Sequence, residues 1–455
     1  MKRIAVAAAL LMLVSSTSLA ANHTDPDIIY SAVPDAGRPR YLYPATDPTF
    51  GSTITRISAN AGQSTTPVAG VWGSSGRHHY SKDQPWNADG TRFLMYNDNN
   101  AWMLLDGSTY APIARNCSSW YDPRWHPDSA AIIIDANATK ITKYRISNGV
   151  CDTVRTWTLP FANDYGIGSG EGNLSANGRY IVIGSSKLRK AVVVDLDTTV
   201  AGAPYGGARF GPTYTFPACS VTVGDRLRGC NFDNLTISPS GLFVIVNYDT
   251  SGATSDQGRT RVYDVNQTTL ALTPHLMAAS SPRCGQTGPW HGVNGWIETM
   301  GHFDVGYEAD NTTEVLVGLS HCSVDTTIYS LVKVRLSNGA TTELTCYNGG
   351  DACPAHISMR ATERPGWAYV SFEEHTPSRP FSDELVAFAL DGSGVERICH
   401  LHTDFTDCYL CEAQPCPSPD GSKVVFASAW NRHCAVPCVQ CGSSLDPKAY
   451  VVAGW

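Results

Sequence analysis

The chain carries its apolar residues in short runs of four to six, each introduced by a polar turn. "DQPWNADGTRFLMY" from Asp83 is the clearest case: Asn87, Ala88, Asp89 and Gly90 supply turn chemistry, and Phe93, Leu94, Met95 and Tyr96 supply a strand. Degenerate copies follow as "DPRWHPDSAAIII" from Asp122, "EGNLSANGRYIVIG" from Glu171, "NLTISPSGLFVIVN" from Asn234, "DVGYEADNTTEVLVG" from Asp304, "ISMRATERPGWAYVS" from Ile357 and "QPCPSPDGSKVVFAS" from Gln414, which makes seven. Several are followed by a second β-prone run and turn, as in "KAVVVDLDTT" from Lys190, "TRVYDVNQTT" from Thr260, "LVKVRLSNGA" from Leu331 and "ELVAFALDGSG" from Glu384, which read as third strands. Start-to-start spacings of about 40 to 70 residues fit four-stranded sheets arranged radially. Helical periodicity is missing almost everywhere. The expected fold is therefore all-β, a seven-bladed β-propeller of four-stranded antiparallel blades. Two segments lack a good copy of the repeat, Asn22 to Arg77 and the stretch after Trp430. Either one closes the ring or both are covering loops.

The N-terminus changes the picture. Lys2 and Arg3 form a positive start, Ile4 to Val14 an apolar stretch, and Ser18, Leu19 and Ala20 a small-residue cleavage site, which together read as a signal peptide over 1–20. The remainder, 21–455, is expected to be a single propeller domain with a cysteine-rich C-terminal segment, exported to the periplasm or beyond. No later apolar run approaches the roughly 20 residues needed to cross a bilayer. In an oxidising compartment 15 cysteines are expected to form disulfides. The number is odd, so at least one is left over, and the dense tail (Cys399, Cys408, Cys411, Cys416, Cys434, Cys438, Cys441) is where to look. There is no Cys-x-x-Cys-His, which argues against covalent haem. The net charge of −8 has no basic run to track a phosphate backbone, so nucleic acid is not an expected partner. A polyanionic substrate fits if positive charge is gathered in a cleft. Serine-hydrolase elbows, His-Glu-x-x-His and glycine-rich nucleotide loops are all missing, and no organic cofactor is expected.

In a propeller the residues that precede each repeated turn converge on one mouth of the central channel. Ten and eleven places before Asp89 stand His79 and His78; twelve before the matching positions of the third and fourth copies stand Tyr165 and Arg228. Imidazole and phenol exchange protons and guanidinium neutralises a carboxylate, a set suited to β-elimination at a uronic acid. Each also has a structural reading: a hydrogen-bonded histidine pair, a packed loop aromatic, and an Arg228–Asp225 pair. His302, His356, His402 and Cys416 form a second constellation, imidazoles and a thiol of the kind zinc prefers in structural sites, with a disulfide at Cys416 as the competing reading. Asp83, Asp122, Glu171 and Asp304 each stand six places before the turn of their own copy. A glycoside hydrolase would draw on such carboxylates, and they would equally serve as caps of the repeat.

The repeats, "HHYSKDQPWNADG", "GHFDVGY", "HISMRATERPGWAYVSF" and "AQPCPSPDGSKVVFASAW" together resemble the bacterial seven-bladed propeller polysaccharide lyases, the ulvan lyases in particular, and more distantly oligogalacturonate lyase. The likeness covers most of the chain after residue 70. It implies metal-independent β-elimination of an acidic polysaccharide with His79 or His78 and Tyr165 moving protons, Arg228 on the carboxylate, and a structural zinc held by His302, His356, His402 and Cys416. The chain departs from the pattern where a second active-site histidine is expected, since "MYNDNNAW" offers only Asn97, Asp98, Asn99 and Asn100. A monomer is expected. The competing reading from another class is a non-catalytic exported propeller that binds a glycan or protein partner.

Overall fold

The computed structural model describes residues 24–30, 33–34, 36–98, 101–115, 120–147, 150–196, 209–216, 232–248, 260–277, 296–297, 300–321, 329–346, 354–373, 378–403, 409–431 and 446–455. The leader at 1–20 and Arg228 lie outside them. Among the described residues there is no α-helix, only two single 3₁₀ turns, Gly168–Gly170 and Tyr409–Cys411.

The strands form antiparallel sheets in chain order. Sheet I is Gly76–Arg77, Arg92–Asn97, Ala101–Asp106 and Pro112–Arg115. Sheet II is Pro123–Trp125, Ile132–Ala136, Lys140–Ser147 and Val150–Thr158. Sheet III has Tyr180–Ser185 and Lys190–Asp195, with Arg209–Phe210 and Tyr214–Thr215 outside them. Sheet IV has Phe232–Ile237, Phe243–Tyr248, Thr260–Val265 and Leu272–Pro274, with Trp296–Ile297 also on its third strand. Sheet V is Met300–Tyr307, Glu314–His321, Tyr329–Arg335 and Thr341–Cys346, and sheet VI is Ile357–Ser358, Trp367–Phe372, Glu384–Ala389 and Val395–His400. The closing sheet joins both ends of the chain: Cys416–Pro417, Lys423–Ser428 and Lys448–Ala453 pair in turn, and the early strand Thr53–Arg56 completes the ladder against Lys448–Ala453. Both segments that lacked a copy of the repeat therefore contribute to closure. A single parallel pair, Gly76 with Lys448, links this sheet to sheet I, giving one nine-stranded sheet by hydrogen bonding.

Four turns of the repeat work the same way. The first turn residue accepts a hydrogen bond from the residue three places on, as with Asn87 and Gly90, Ser175 and Gly178, Ser238 and Gly241, and Ser418 and Gly421. Its side chain then accepts from the first N–H of the next strand: Arg92 N to Asn87 Oδ1 and Tyr180 N to Ser175 Oγ, both 2.8 Å, and Phe243 N to Ser238 Oγ and Lys423 N to Ser418 Oγ, both 3.1 Å. The last position takes φ near +70°, at Gly90 +68° and at Gly241 +78°. A Cβ on Gly90 would meet nothing within 4 Å, whereas one on Gly241 would lie 2.5 Å from the Tyr180 ring. Gly90→Ala is therefore expected to cost about 1 kcal/mol of backbone strain, and Gly241→Ala distinctly more. Thermal denaturation of the two variants side by side checks the order.

The second strands are buried on both faces, which is why their apolar residues run consecutively in sequence: Ile132–Ala136, Tyr180–Ser185 and Phe243–Tyr248 are buried throughout. In space they alternate, each strand sending successive residues to two neighbouring sheets. Phe93 and Met95 join Val425 and Val451 of the closing sheet, while Leu94 joins Ile133 of sheet II. Ile134 packs with Ile181 of sheet III, and Val182 with Leu235 and Val244 of sheet IV. Ile245 meets Leu316 of sheet V, Val317 meets Val370 of sheet VI, and Tyr369 meets Phe426 and Tyr450 of the closing sheet. The chain of contacts returns to its start, so the sheets form a ring of the β-propeller type with its cores between them. Among the described residues Cys399 and Cys416 are free and buried, and Cys411, like Cys151, is disulfide-bonded.

Candidate functional site at the centre of the ring

The innermost strand of sheet I is interrupted. Gly76 and Arg77 pair with Asn97 and Tyr96, and Trp86 bridges Phe93 further along the same second strand. Between them His78–Gln84 leaves the ladder. Other inner strands break at the corresponding place: Ile167 and Leu174 bridge Ile183 and Ile181 with Gly168–Asn173 looping out between, and the register shifts around Asp233 and around His302 and Phe303. Such interruptions re-aim side chains. Here they turn polar groups of several sheets to one place.

His79 is one of these, and it stays partly exposed. Its side chain is 34% exposed, Nδ1 bonds Asp83 Oδ2, and the ring stands edge-on to Trp102 at 5.5 Å. Asp83 is buried, and its Oδ1 forms an ion pair with Arg124 Nε at 3.0 Å. Arg124 also bonds Asp122 Oδ1, the Gly172 carbonyl at 3.0 Å and the Gly170 carbonyl at 2.7 Å. Asp122 Oδ2 in turn accepts Ile167 N at 2.6 Å. Asp83 holds the Nδ1 side of His79, which leaves Nε2 as the nitrogen for exchange with a ligand.

His78 is different. It is fully buried, Nε2 bonds the Gln414 carbonyl, and Nδ1 has no hydrogen-bond partner. Burial lowers its pKa to about 3, because a second ring proton would be sealed away without an acceptor. The stability that depends on neutral His78 is complete above the unfolded pKa near 6.5 and is lost as pH falls towards 3. Between pH 7 and pH 5 the wild type is expected to lose about 2 kcal/mol more than His78→Gln. Urea unfolding of both proteins at the two pH values measures the difference.

Tyr165 is 55% exposed, and Lys187 Nζ lies 6.0 Å from its ring centre. It immediately precedes Gly166, where an added Cβ would collide with Asp122. Arg228 is outside the described residues, so its relation to the others is not part of the site described. Of the zinc set, His302 and His356 stack at 4.3 Å, with His302 Nδ1 donating to the Ala355 carbonyl at 2.8 Å. His402 instead stacks on Trp430 at 4.3 Å, and the Cys416 thiol lies 3.6 Å from the Asp83 carbonyl and 3.7 Å from Ser358 Oγ. The structure does not gather these four residues into one cluster. Among the described residues, the group whose donor atoms lie mutually within 4.8 Å is His79, Asp83 and Asp122.

Glu373, Glu412, Lys82 and Arg360 are central residues that no sequence motif singled out. His356 has its Nε2 3.3 Å from Glu412 Oε2 and its Nδ1 3.7 Å from Glu373 Oε1. Burial holds Glu373 protonated, with a pKa raised to about 8, and holds His356 neutral. Lys82 reaches Glu171 at 2.6 Å and Arg360 forks onto Asp304 at 2.9 and 3.0 Å. The acids six places before the turn are thus each bound to a cation, usually from another sheet, and do not form a free carboxylate pair. The same position holds Asn234 and Gln414 in two further copies, a signal in the sequence that identifies both as central.

No protein-family model matches the chain, and no curated protein matches it in sequence. Solved structures do. Oligogalacturonate lyase in complex with manganese is 11% identical over 93% of this chain and 98% of its own, with a TM-score of 0.55. Oligogalacturonate lyase from Vibrio parahaemolyticus is 10% identical over 90% and 96%, with a TM-score of 0.52. At such identities the likeness is one of fold, and the chain shares the fold of oligogalacturonate lyase along nearly its whole length.

Proposed function

We propose that this protein is an exported polysaccharide lyase, a seven-bladed propeller when the nine-stranded sheet is counted as two blades, that cleaves a uronic acid-containing polysaccharide by β-elimination. The observation that carries the proposal is His79: a partly exposed imidazole, oriented by buried Asp83, at the centre of a fold shared with oligogalacturonate lyase. Asp83 fixes Nδ1, so Nε2 takes the proton alpha to the uronate carboxylate. The C–H electrons form the new C4=C5 double bond as the C4–O bond breaks, and the departing oxygen takes a proton from Tyr165, exposed on the adjacent loop. His78, buried and neutral, anchors the excursion that carries His79 and exchanges no proton itself.

The manganese of the structural neighbour suggests a cation, and two places come into question. At His79, Asp83 and Asp122 the carboxylates already hold Arg124, so a cation does not fit without displacing it. At His356 and Glu412, both imidazole nitrogens and Glu412 Oε2 are buried without hydrogen-bond partners, with the His302 ring alongside. Imidazole and carboxylate suit manganese or zinc, and these residues would hold it, supplying positive charge beside the channel.

The test is new ultraviolet absorbance of an unsaturated uronate when the protein meets polygalacturonate, ulvan, alginate and glycosaminoglycans. A rise on at least one supports the lyase. Silence on all of them, with folded protein, rejects it in favour of a binding propeller.

A further inference from the structure

Glu171 sits where an incoming carboxylate would be held. Its Oε2 receives Lys82 Nζ at 2.6 Å and Asn234 Nδ2 at 2.9 Å. The three residues come from the excursion of sheet I, the loop of sheet III and the inner strand of sheet IV. The lysine side chain is 2% exposed and the glutamate 21%, so the carboxylate lies between the ammonium and the open channel. Phe303 and Tyr80 present their rings to Lys82 Nζ at 4.7 and 5.5 Å, which confines the ammonium and keeps water from it. An ammonium so confined, with an amide N–H beside it, is a strong receptor for one carboxylate.

The backbone on either side of Glu171 is held, so a change of partner at this residue is a side-chain rotation alone. Arg124 holds the carbonyls on either side, Gly170 and Gly172, and Asp122 holds Ile167 N. Asp233 Oδ2 stands 3.4 Å from Asn234 Nδ2 and 3.3 Å from Asn247 Nδ2, so the neighbourhood is already negative. A second carboxylate cannot be added on top of Glu171 against that charge. It must replace it.

We infer that Lys82 Nζ and Asn234 Nδ2 form a carboxylate-binding subsite for a uronate unit, and that Glu171 is its internal occupant, displaced by rotation of its side chain when substrate arrives. The inference rests on the uronate reading above. An internal competitor lowers apparent affinity by the fraction of time it leaves the subsite open.

Glu171→Gln keeps the shape and an oxygen acceptor for Lys82 but removes the competing charge. By calorimetry, its Kd for trigalacturonate or for an ulvan tetrasaccharide is expected to fall about tenfold relative to wild type, and the methyl esters are expected to gain nothing. Lys82→Met is expected to lose the acidic ligand by tenfold or more. If Glu171→Gln binds no tighter, or the esters gain equally, the subsite is refuted, while binding and unsaturated product from the wild type would leave the lyase reading standing. If neither wild type nor Glu171→Gln binds any uronate oligomer while both melt as folded proteins, the subsite and the uronate reading fall together.

Discussion

His79→Ala is expected to lower kcat/KM on the responsive polysaccharide by about a thousandfold while leaving the melting temperature near that of wild type. The size follows from what the side chain does. A positioned acid–base group contributes two to four powers of ten, and the histidine here is partly exposed, so its removal opens little cavity. Asp83→Asn gives a second, smaller test. The amide no longer fixes the Nδ1–H tautomer, so Nε2 presents a proton part of the time and the rate falls by a lesser factor. Initial rates of absorbance at saturating and limiting substrate separate the two. A His79→Ala protein that retains most of its rate would remove this histidine from the chemistry, and Tyr165 would then have to serve as both acid and base.

The fold was largely legible because its repeat is chemically local. A Ser or Asn whose side chain bonds the next strand, followed by a residue at positive φ, recurs where the turn pattern put it, in Asn87 to Gly90, Ser175 to Gly178, Ser238 to Gly241 and Ser418 to Gly421. Closure was only half visible, since Thr53–Arg56 meets Lys448–Ala453 across almost the full chain, and neither carries the turn. "HHYSKDQ" stood out because it interrupts an inner strand, and it does lie at the centre. Its partners were hidden. Asp83 finds Arg124 one sheet on, and Lys82 finds Glu171 two sheets on, because each interruption re-aims its side chains by an amount that counting from the turn does not reveal. His402, just past the outer strand of sheet VI, stacks on Trp430 and stands apart from the His302–His356 stack.

Arg124→Met is expected to destabilise the protein by about 3–5 kcal/mol, the largest stability effect of any single change considered. The arginine is 3% exposed, and its guanidinium ties three parts of the ring together: Asp83 in the sheet I excursion, Asp122 ahead of its own strand, and the carbonyls of Gly170 and Gly172 in the sheet III loop. Methionine fills similar volume, so the loss is electrical more than steric. It leaves two buried carboxylates within 4.8 Å of one another and of His79 with no guanidinium between them. Like charges that close cannot both stay ionised, so one carboxyl pKa rises in the folded variant. A raised carboxyl pKa contributes stability at low pH that is lost as pH climbs. The deficit of Arg124→Met should therefore be smaller at pH 5 than at pH 8, the opposite of the trend expected from His78. Asp122→Asn combined with Arg124→Met should recover part of the loss by removing the surplus charge. Equal deficits at both pH values, or no recovery in the double variant, would mean that the arginine acts through its bonds to the loop carbonyls alone.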